Sequence, residues 1–284
     1  MKQIALFSVL ISLYIAVLFP FTAYMQNKPF AEKLGYVPQP EVLKLISADQ
    51  KQLTAASLIM KVLFYFGTLV EKTEKKIFLP ADYPGMSRTI HVAVKLDPYN
   101  TDAYYFAQAI LVWDVRQIRI ANDLLEYGMK YRDWDFYLPL FAGFNYAYFL
   151  KDFEKAAQYY KKAGDLTGDE LYVNLAGRYM HESGQTDHAI AYLTAMEKSA
   201  KNEAIRKSFG IRLNALKETR RVEKARDEYL EGSGKLPASI DELLRKGYLK
   251  EQPVDPYGGK FYIDGKGQVR STSKFAFGAG SSSR

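Results

Sequence analysis

Apolar residues follow three successive patterns along this chain, and the first predicts a membrane anchor. Residues 4–25 contain no charged side chain. A helix of that length crosses a hydrocarbon layer of about 30 Å, since each residue rises about 1.5 Å. The only sequence near a signal-peptidase site is Thr22-Ala23-Tyr24, a poor match that favours an uncleaved anchor over a removed signal. Such an anchor normally leaves the rest of the chain translocated, so we expect a single-pass protein of a bacterial-type inner membrane with a periplasmic body.

The second pattern begins after a break at residues 35–40, where Pro38 and Pro40 predict a linker. Beyond it, apolar residues recur at steps of three and four and predict a helix of about 20 residues. These residues are Leu53, Ala56, Ile59, Met60, Leu63, Phe64 and Phe66. A second transmembrane span is the alternative interpretation. Lys51 and Lys61 argue against it, and we expect the first buried helix of a helical domain.

A period of about 33 to 35 residues then begins near Pro84, as is typical of stacked helix-turn-helix repeats. Small residues let helices approach closely, and large residues fill the adjoining space. Successive second helices begin with a small residue followed one turn later by a large one. The pairs are Ala121 and Leu125, Ala156 and Tyr160, and Ala189 and Leu193, while the first helices carry Gln108-Ala109, Gly143-Phe144 and Ala176-Gly177.

The third pattern occupies the last third of the chain. It predicts a long helix from about Asn202 to Glu231, which ends at the glycines of residues 232–234. Ser239 followed by Glu242 forms a capping box ahead of a short helix. Residues 260–264 and 268–271 then read as the two strands of a hairpin.

Composition and charge exclude several classes of function. The chain of 284 residues has no cysteine, which removes thiol catalysis, disulfides and thiolate metal sites. The net charge of +7 arises entirely in residues 201–284, where 18 Lys and Arg stand against 11 Asp and Glu. Interleaved opposite charges are typical of a solvated helix face. A basic binding surface is the alternative, and we expect no nucleic-acid partner.

Candidate chemistry is sparse. His181 and His188 flank a predicted turn, but no third ligand accompanies them. The lysines after glycines at residues 232–235 and 258–260 lack the remaining positions of a phosphate-binding loop. We therefore predict no catalytic residue, no cofactor, no metal site and no small-molecule substrate. Calcium at Asp264 and its turn is a minor alternative.

Residues 84–200 resemble tetratricopeptide repeat proteins, most clearly at residues 143–163 and 171–196. The stretch of residues 151–163 reads like the second helix of a consensus unit. The signature Trp of the first helix is absent, and the step from Gly143 to Ala156 is one residue longer than in the family. The resemblance implies about four repeats in a right-handed superhelix that clasps a protein or peptide in its groove.

The end of the chain resembles the globular end of type II secretion major pseudopilins. The resemblance rests on the order of a long helix, residues 236–249 with the Leu-Pro and Ser-Ile-Asp-Glu-Leu-Leu sequences, Asp-Pro-Tyr-Gly-Gly at residues 255–259, and the hairpin. In that family the anchor helix joins this module directly, with a processing site ahead of it. Here the repeats intervene and no such site precedes the anchor, so we interpret the module as a borrowed fold unit.

These interpretations give a mostly α protein in six segments: an anchor (1–27), a linker (28–49), a repeat domain (50–200), a long basic helix (201–232), a pilin-like module (233–274) and a flexible tail (275–284). The expected function is a non-enzymatic scaffold or adaptor for an envelope assembly such as a pilus, secretion or export system. A minor pilin-like component is the alternative, followed by an enzyme or metal-binding protein whose site forms only in the fold. About half of the aromatic series at residues 134–149 exceeds what the core needs and is free to line the groove. Candidate partner-binding residues on the first helices are Asn145, Tyr148, Asn174 and Arg178.

Overall fold

The computed structural model describes residues 2–27, 33–75 and 79–273, and they are mostly helical with one small two-stranded sheet. The predicted tail at residues 275–284 and part of the predicted linker lie outside these residues. Two compact units divide the chain after Asn100. The sequence-based division instead grouped residues 50–100 with the repeats, because their helical periodicity looks the same.

The first unit contains four helices in the described residues. They are α1 (Lys2–Asn27), α2 (Pro40–Ile46), α3 (Lys51–Glu74) and α4 (Tyr83–Leu96). Helix α1 carries a span of 21 residues with mean hydropathy 2.2, long and apolar enough to cross a membrane or to act as a signal sequence. Helix α3 packs against α4, and the Asp82 side chain caps α4 by accepting a hydrogen bond from the Gly85 amide at 3.0 Å.

Among the described residues, neighbours cover only one face of α3. Its buried residues recur at helical spacing, and they are Ala55, Ile59, Val62, Tyr65 and Leu69. Only 28% of its most apolar stretch is buried. With a mean hydropathy of 1.7, α3 is also long and apolar enough to cross a membrane. The expectation of a buried helix is therefore correct only for the face that packs against α4.

Consecutive helix hairpins build the second unit. Helix α5 (Thr101–Ala107) continues as a π-helix (Gln108–Asp114) and is followed by α6 (Ile118–Gly128). Helix α7 (Tyr137–Asn145) likewise continues as a π-helix (Tyr146–Leu150) before α8 (Phe153–Thr167). Helices α9 (Glu170–Glu182) and α10 (Thr186–Ser199) form a third hairpin. Each helix from α6 to α10 packs against its sequence neighbour.

The small and large residues of the repeat pattern meet in this core as predicted. Ala156 and Ala189 are fully buried, as is Leu193. A Cβ atom added to Gly143 would lie 3.2 Å from the ring of Tyr160, and one added to Gly177 would lie 2.8 Å from Leu193 Cδ1. The glycines therefore allow each first helix to approach the large residue of its second helix.

The π-helix in α7 accounts for the extra residue between Gly143 and Ala156. An α-helical turn closes between residues four apart, whereas a π-helical turn closes between residues five apart and so takes up one more residue. The Lys151 amide bonds to the Tyr146 carbonyl across five residues. In the third hairpin, Gly177 and Ala189 are 12 residues apart, and α9 has no π-helical segment.

The C-terminal module follows the predicted order. Helix α11 (Glu203–Ser233) packs on α9 and α10, and α12 (Ile240–Arg245) and the hairpin pack on α11. The predicted Ser239 cap is confirmed, because Ser239 Oγ accepts from the Glu242 amide at 3.3 Å, while the Glu242 carboxylate reaches one residue beyond the N-cap and accepts from the Ala238 amide at 2.7 Å. Strands β1 (Phe261–Ile263) and β2 (Val269–Ser271) pair antiparallel.

The Asp-Pro-Tyr-Gly-Gly sequence folds around a buried carboxylate. Asp255 accepts from the Tyr257 amide at 2.8 Å, from the Ser273 hydroxyl at 2.6 Å and from the Ser271 hydroxyl. A Cβ atom on Gly259 would lie 2.5 Å from Asp255 Oδ2, so this position requires glycine. The hydrogen bonds of Asp255 thus hold the end of the hairpin against the preceding loop.

Candidate interaction surface

Two exposed aromatic residues occupy equivalent positions in the first two hairpins of the second unit. Trp113 lies in the π-helix that extends α5, and Tyr148 lies 35 residues later in the π-helix that extends α7. Their exposed fractions are 50% and 56%. Since π-helical turns are uncommon and frequently accompany functional sites, these two segments are the first place to look for one.

Four aromatic side chains form a continuous stripe along α7 and its π-helix. Tyr137, Phe141, Phe144 and Tyr148 follow one another at steps of four, three and four residues, which places them on one helix face. The rings of Phe144 and Tyr148 stack with centroids 5.4 Å apart. We call these four residues the aromatic stripe.

Helix α5 and its π-helix contribute rings to both ends of the aromatic stripe. At one end, the Tyr105 ring lies 5.7 Å from that of Tyr137 and 5.6 Å from that of Phe141, in edge-to-face contact. At the other end, the Trp113 ring lies 6.2 Å from that of Phe144. These ring contacts join the first helices of two hairpins into one surface. Edge-to-face contact is one of the arrangements that aromatic pairs prefer.

Two basic residues stand beside this aromatic surface, again at equivalent positions. Arg116 and Lys151 are 35 residues apart, and both adopt left-handed backbone angles, with φ of 59° and 55°. The Arg116 guanidinium lies 5.9 Å from the ring centroid of Phe149, and the Lys151 ammonium lies 5.3 Å from that of Tyr148. Residues other than glycine in this conformation are uncommon and often belong to functional sites.

The phenol of Tyr105, which lies at one end of the aromatic stripe, is partly buried. Burial raises the pKa of Tyr105 above its usual value, and the nearby Asp135 carboxylate raises it further. Like any tyrosine, Tyr105 is a hydrogen-bond donor at neutral pH, and these two effects extend its protonated range to higher pH.

Asn145 does not reach this surface, contrary to the sequence-based expectation. Its side chain is fully buried. It donates to Gln108 Oε1 and Asn122 Oδ1, each at 2.8 Å, and accepts from Gln108 Nε2 at 2.9 Å. Asn145 is therefore the centre of a buried amide network between hairpins and is unavailable to a ligand in this structure.

Asn174 is also buried, with 3% of its surface exposed. Its side-chain amide donates to Ser208 on α11 at 3.2 Å, so it bridges two helices. Arg178 is half-buried, with its guanidinium 5.7 Å from the ring centroid of Tyr179. Among the four predicted partner-binding residues, only Tyr148 lies mostly in solvent, because the polar faces of α7 and α9 are covered by neighbouring helices.

The aromatic series at residues 134–149 is less buried than the expected half, since Tyr146 is its one buried member and the other rings are partly or largely exposed. Tyr146 is buried and donates to Glu126 at 3.1 Å. Trp134, in the connection between α6 and α7, is 60% exposed. Sequence reasoning missed Trp113, Arg116 and Lys151. The sequence contained a signal for them, because residues of the same type recur 35 positions apart: Trp113 corresponds to Tyr148, and Arg116 corresponds to Lys151.

A charged pocket of about 340 Å³ lies where α9, α11 and β2 meet. Arg220, Arg226 and Arg270 line it, and each pairs with a carboxylate at 2.6 to 3.0 Å. Because these charges neutralise one another, we interpret the pocket as an ion-pair network that joins the C-terminal module to helix α9 and the loop after it.

His181 borders the same pocket, and burial lowers its pKa to about 4. Its Nδ1 lies 3.0 Å from the Thr186 hydroxyl, which donates to Glu223 at 3.0 Å. Burial raises the pKa of Glu223. Burial therefore favours the neutral forms of both His181 and Glu223. His188 is exposed and contacts Gln185 at 3.2 Å. In the part of the chain that the structure describes, no group of three or more His, Asp or Glu side chains is arranged to hold a metal ion.

No protein-family model matches this chain, and no curated protein is similar enough to it to count as a relative.

Proposed function

We propose that this protein is a membrane-anchored, non-catalytic scaffold that holds another protein against the aromatic surface of its first helices. The observation that carries the proposal is a pair of residues that occurs twice. Each pair combines an exposed aromatic residue with a basic residue in the left-handed backbone conformation: Trp113 with Arg116, and Tyr148 with Lys151. Solvent-exposed large aromatic residues carry much of the binding energy in protein interfaces. Their repetition at a fixed period matches a partner that spans two hairpins.

The chemistry of the surface favours an apolar segment with acidic groups at its edge. The aromatic stripe offers flat, rigid rings that lose little entropy on binding. Arg116 and Lys151 already contact rings, and each retains donors for a partner's carboxylate. We infer an amphipathic helix or an extended peptide with acidic residues beside aromatic or proline residues.

The resemblance to tetratricopeptide repeats supports the same proposal. In that architecture, stacked hairpins form a right-handed superhelix whose concave side is lined by first helices. The aromatic stripe and Trp113 lie on first helices. The proposal places α1 in a bacterial-type inner membrane with the body in the periplasm, where the pilin-like module attaches the scaffold to a pilus, secretion or export assembly.

The experiment compares a photo-crosslinking phenylalanine analogue at Tyr148 with the same analogue at Trp134 in the full-length protein in its native membranes. Trp134 is a matched control because it is equally exposed but lies in a connection between helices. We expect a specific adduct from position 148 and none from position 134. Trp113→Ala should abolish the adduct while leaving the helical circular-dichroism spectrum unchanged.

Adducts that are the same from both positions, or that survive Trp113→Ala together with Arg116→Ala, would show that the aromatic surface is not a binding site. Orientation is tested separately, by protease added to spheroplasts. Digestion of the body supports the periplasmic placement, and protection until the membrane is dissolved reverses it.

A further inference from the structure

Helix α3 has a second apolar face that no described residue covers. Its large exposed side chains are Leu53, Met60, Leu63, Phe64 and Val70, with exposed fractions of 37 to 66%. They recur at steps of seven, three, one and six residues, which keeps them within one side of the helix and opposite the face that packs on α4. Gly67 continues this side, and a Cβ atom added there would meet nothing within 4 Å.

Outside α1, the exposed large apolar side chains of the first unit lie mainly on α3 and around α2. Beside α3, the short helix α2 exposes Leu45 by 82% and Ile46 by 71%, and Tyr36 before it is 79% exposed. The second unit exposes both aromatic and aliphatic large side chains, and the aliphatic ones lie on different helices and loops: Leu166, Leu171, Leu230, Leu236 and Val254. An apolar surface gathered on one helix face, as on α3, marks an interaction site.

We propose that this face of α3 lies flat on the lipid surface, as a second membrane contact beside the anchor; the inference rests on the proposed anchor role of α1. Only five residues separate Asn27 at the end of α1 from Lys33, and six peptide steps extend over at most about 20 Å. Leu34 is buried, and its amide donates to Asp82 at 3.2 Å. The start of the unit is therefore tethered within that distance of the end of α1.

The lysines of α3 fit anionic headgroups at its edge, whereas its two carboxylates, Glu71 and Glu74, are confined to its last turn. From residue 51 to residue 70 the only charged side chains are Lys51 and Lys61. Lys61 is exposed at the border of the apolar face, where a lysine can extend its ammonium group to headgroups while its stem stays in the apolar layer. A helix with one face on protein and the other on lipid suits the interface, whereas a full span would place Lys61 and the polar residues beside it in hydrocarbon.

The absence of cysteine makes a direct test possible in the full-length protein, because one introduced cysteine is the only thiol. Single variants Leu53→Cys and Gly67→Cys probe the α3 face, Val9→Cys probes α1, and Ala191→Cys, exposed on α10, is the control. Each carries a small fluorophore in vesicles of phosphatidylcholine and phosphatidylglycerol. Quenching by lipids with a shallow or a deep nitroxide is compared with quenching by aqueous iodide.

We expect the Leu53 and Gly67 labels to be quenched several-fold more by shallow-nitroxide lipids than the Ala191 label, and to be shielded from iodide. Three outcomes overturn the inference. The α3 labels could be quenched by iodide as strongly as the control, which means exposure to water, or more strongly by deep than by shallow nitroxides, which means a transmembrane position. They could also be shielded from both iodide and lipid nitroxides while energy transfer occurs between labelled copies, which means that a second copy covers the face. The Val9 label separates the two proposals. If it is quenched by lipid while the α3 labels are not, the anchor stands and the α3 contact falls; if it is not quenched, the anchor fails.

Discussion

Replacing Asn145 by alanine tests whether the buried amide network stabilises the second unit. The side chain makes three hydrogen bonds at 2.8 to 2.9 Å with Gln108 and Asn122 and is fully buried. Its removal leaves the carbonyl and amide of Gln108 and the carbonyl of Asn122 without these partners. A surface residue at this position would instead be replaceable at almost no loss of stability.

The expected loss is large for one substitution. A buried polar group left without its partner costs about 1 to 3 kcal/mol, and three such groups that share one small space relax partly together. We therefore expect Asn145→Ala to lower the free energy of unfolding by roughly 3 kcal/mol. For a unit of this size, that corresponds to a fall in Tm of about 6 to 12 °C.

Tryptophan fluorescence during urea or thermal unfolding reports on this unit selectively, because both tryptophans, Trp113 and Trp134, lie within it. Replacing Gln108, Asn122 and Asn145 together by leucine is the control, since removing every partner avoids orphaned polar groups. We expect that triple variant to be more stable than Asn145→Ala. A single variant within about 0.5 kcal/mol of the parent would refute the network's role.

Two further substitutions test the packing and the charge of the same unit. Gly177→Ala should cost about 1 to 3 kcal/mol in urea unfolding, because its Cβ would lie 2.8 Å from Leu193 Cδ1, whereas Gly67→Ala meets nothing and should be neutral or stabilising. An unchanged midpoint for Gly177→Ala would contradict the close approach. The pKa of His181, about 4 when folded against 6.5 when unfolded, means that the unfolded state binds more protons between these values. Stability should therefore be full above pH 6.5 and fall by up to roughly 3 kcal/mol toward pH 4, with the raised pKa of Glu223 opposing it. A His181→Gln variant with the same pH dependence would contradict this cause.

The helices and their close contacts were largely predictable because they depend on local spacing. Ala156 and Ala189 mark where second helices pass near their partners, and both are fully buried. The cap at Ser239 needs only residues three apart, and the structure contains it. Such features are encoded over a few turns of chain, so a single sequence is sufficient to find them.

The candidate site was less predictable because a polar residue on a helix looks the same whether it meets water or a distant partner. Asn145 read as a ligand-binding residue, yet its partners Gln108 and Asn122 lie 37 and 23 residues away. The extra residue before Ala156 was visible, but the π-helix that absorbs it and exposes Tyr148 was not. Local patterns do not state which long-range contacts will satisfy a side chain.

By itself, the sequence determined that the chain is helical, that its first helix is apolar enough to cross a membrane, and where small residues let helices touch. Tertiary structure decided which faces those helices leave open. Helix α3 has apolar residues on both sides, and only the presence of α4 on one of them distinguishes core from exposed surface. The physical reason is that hydrophobic spacing reports how much surface a helix can bury, whereas burial itself depends on which neighbours the fold brings to each face.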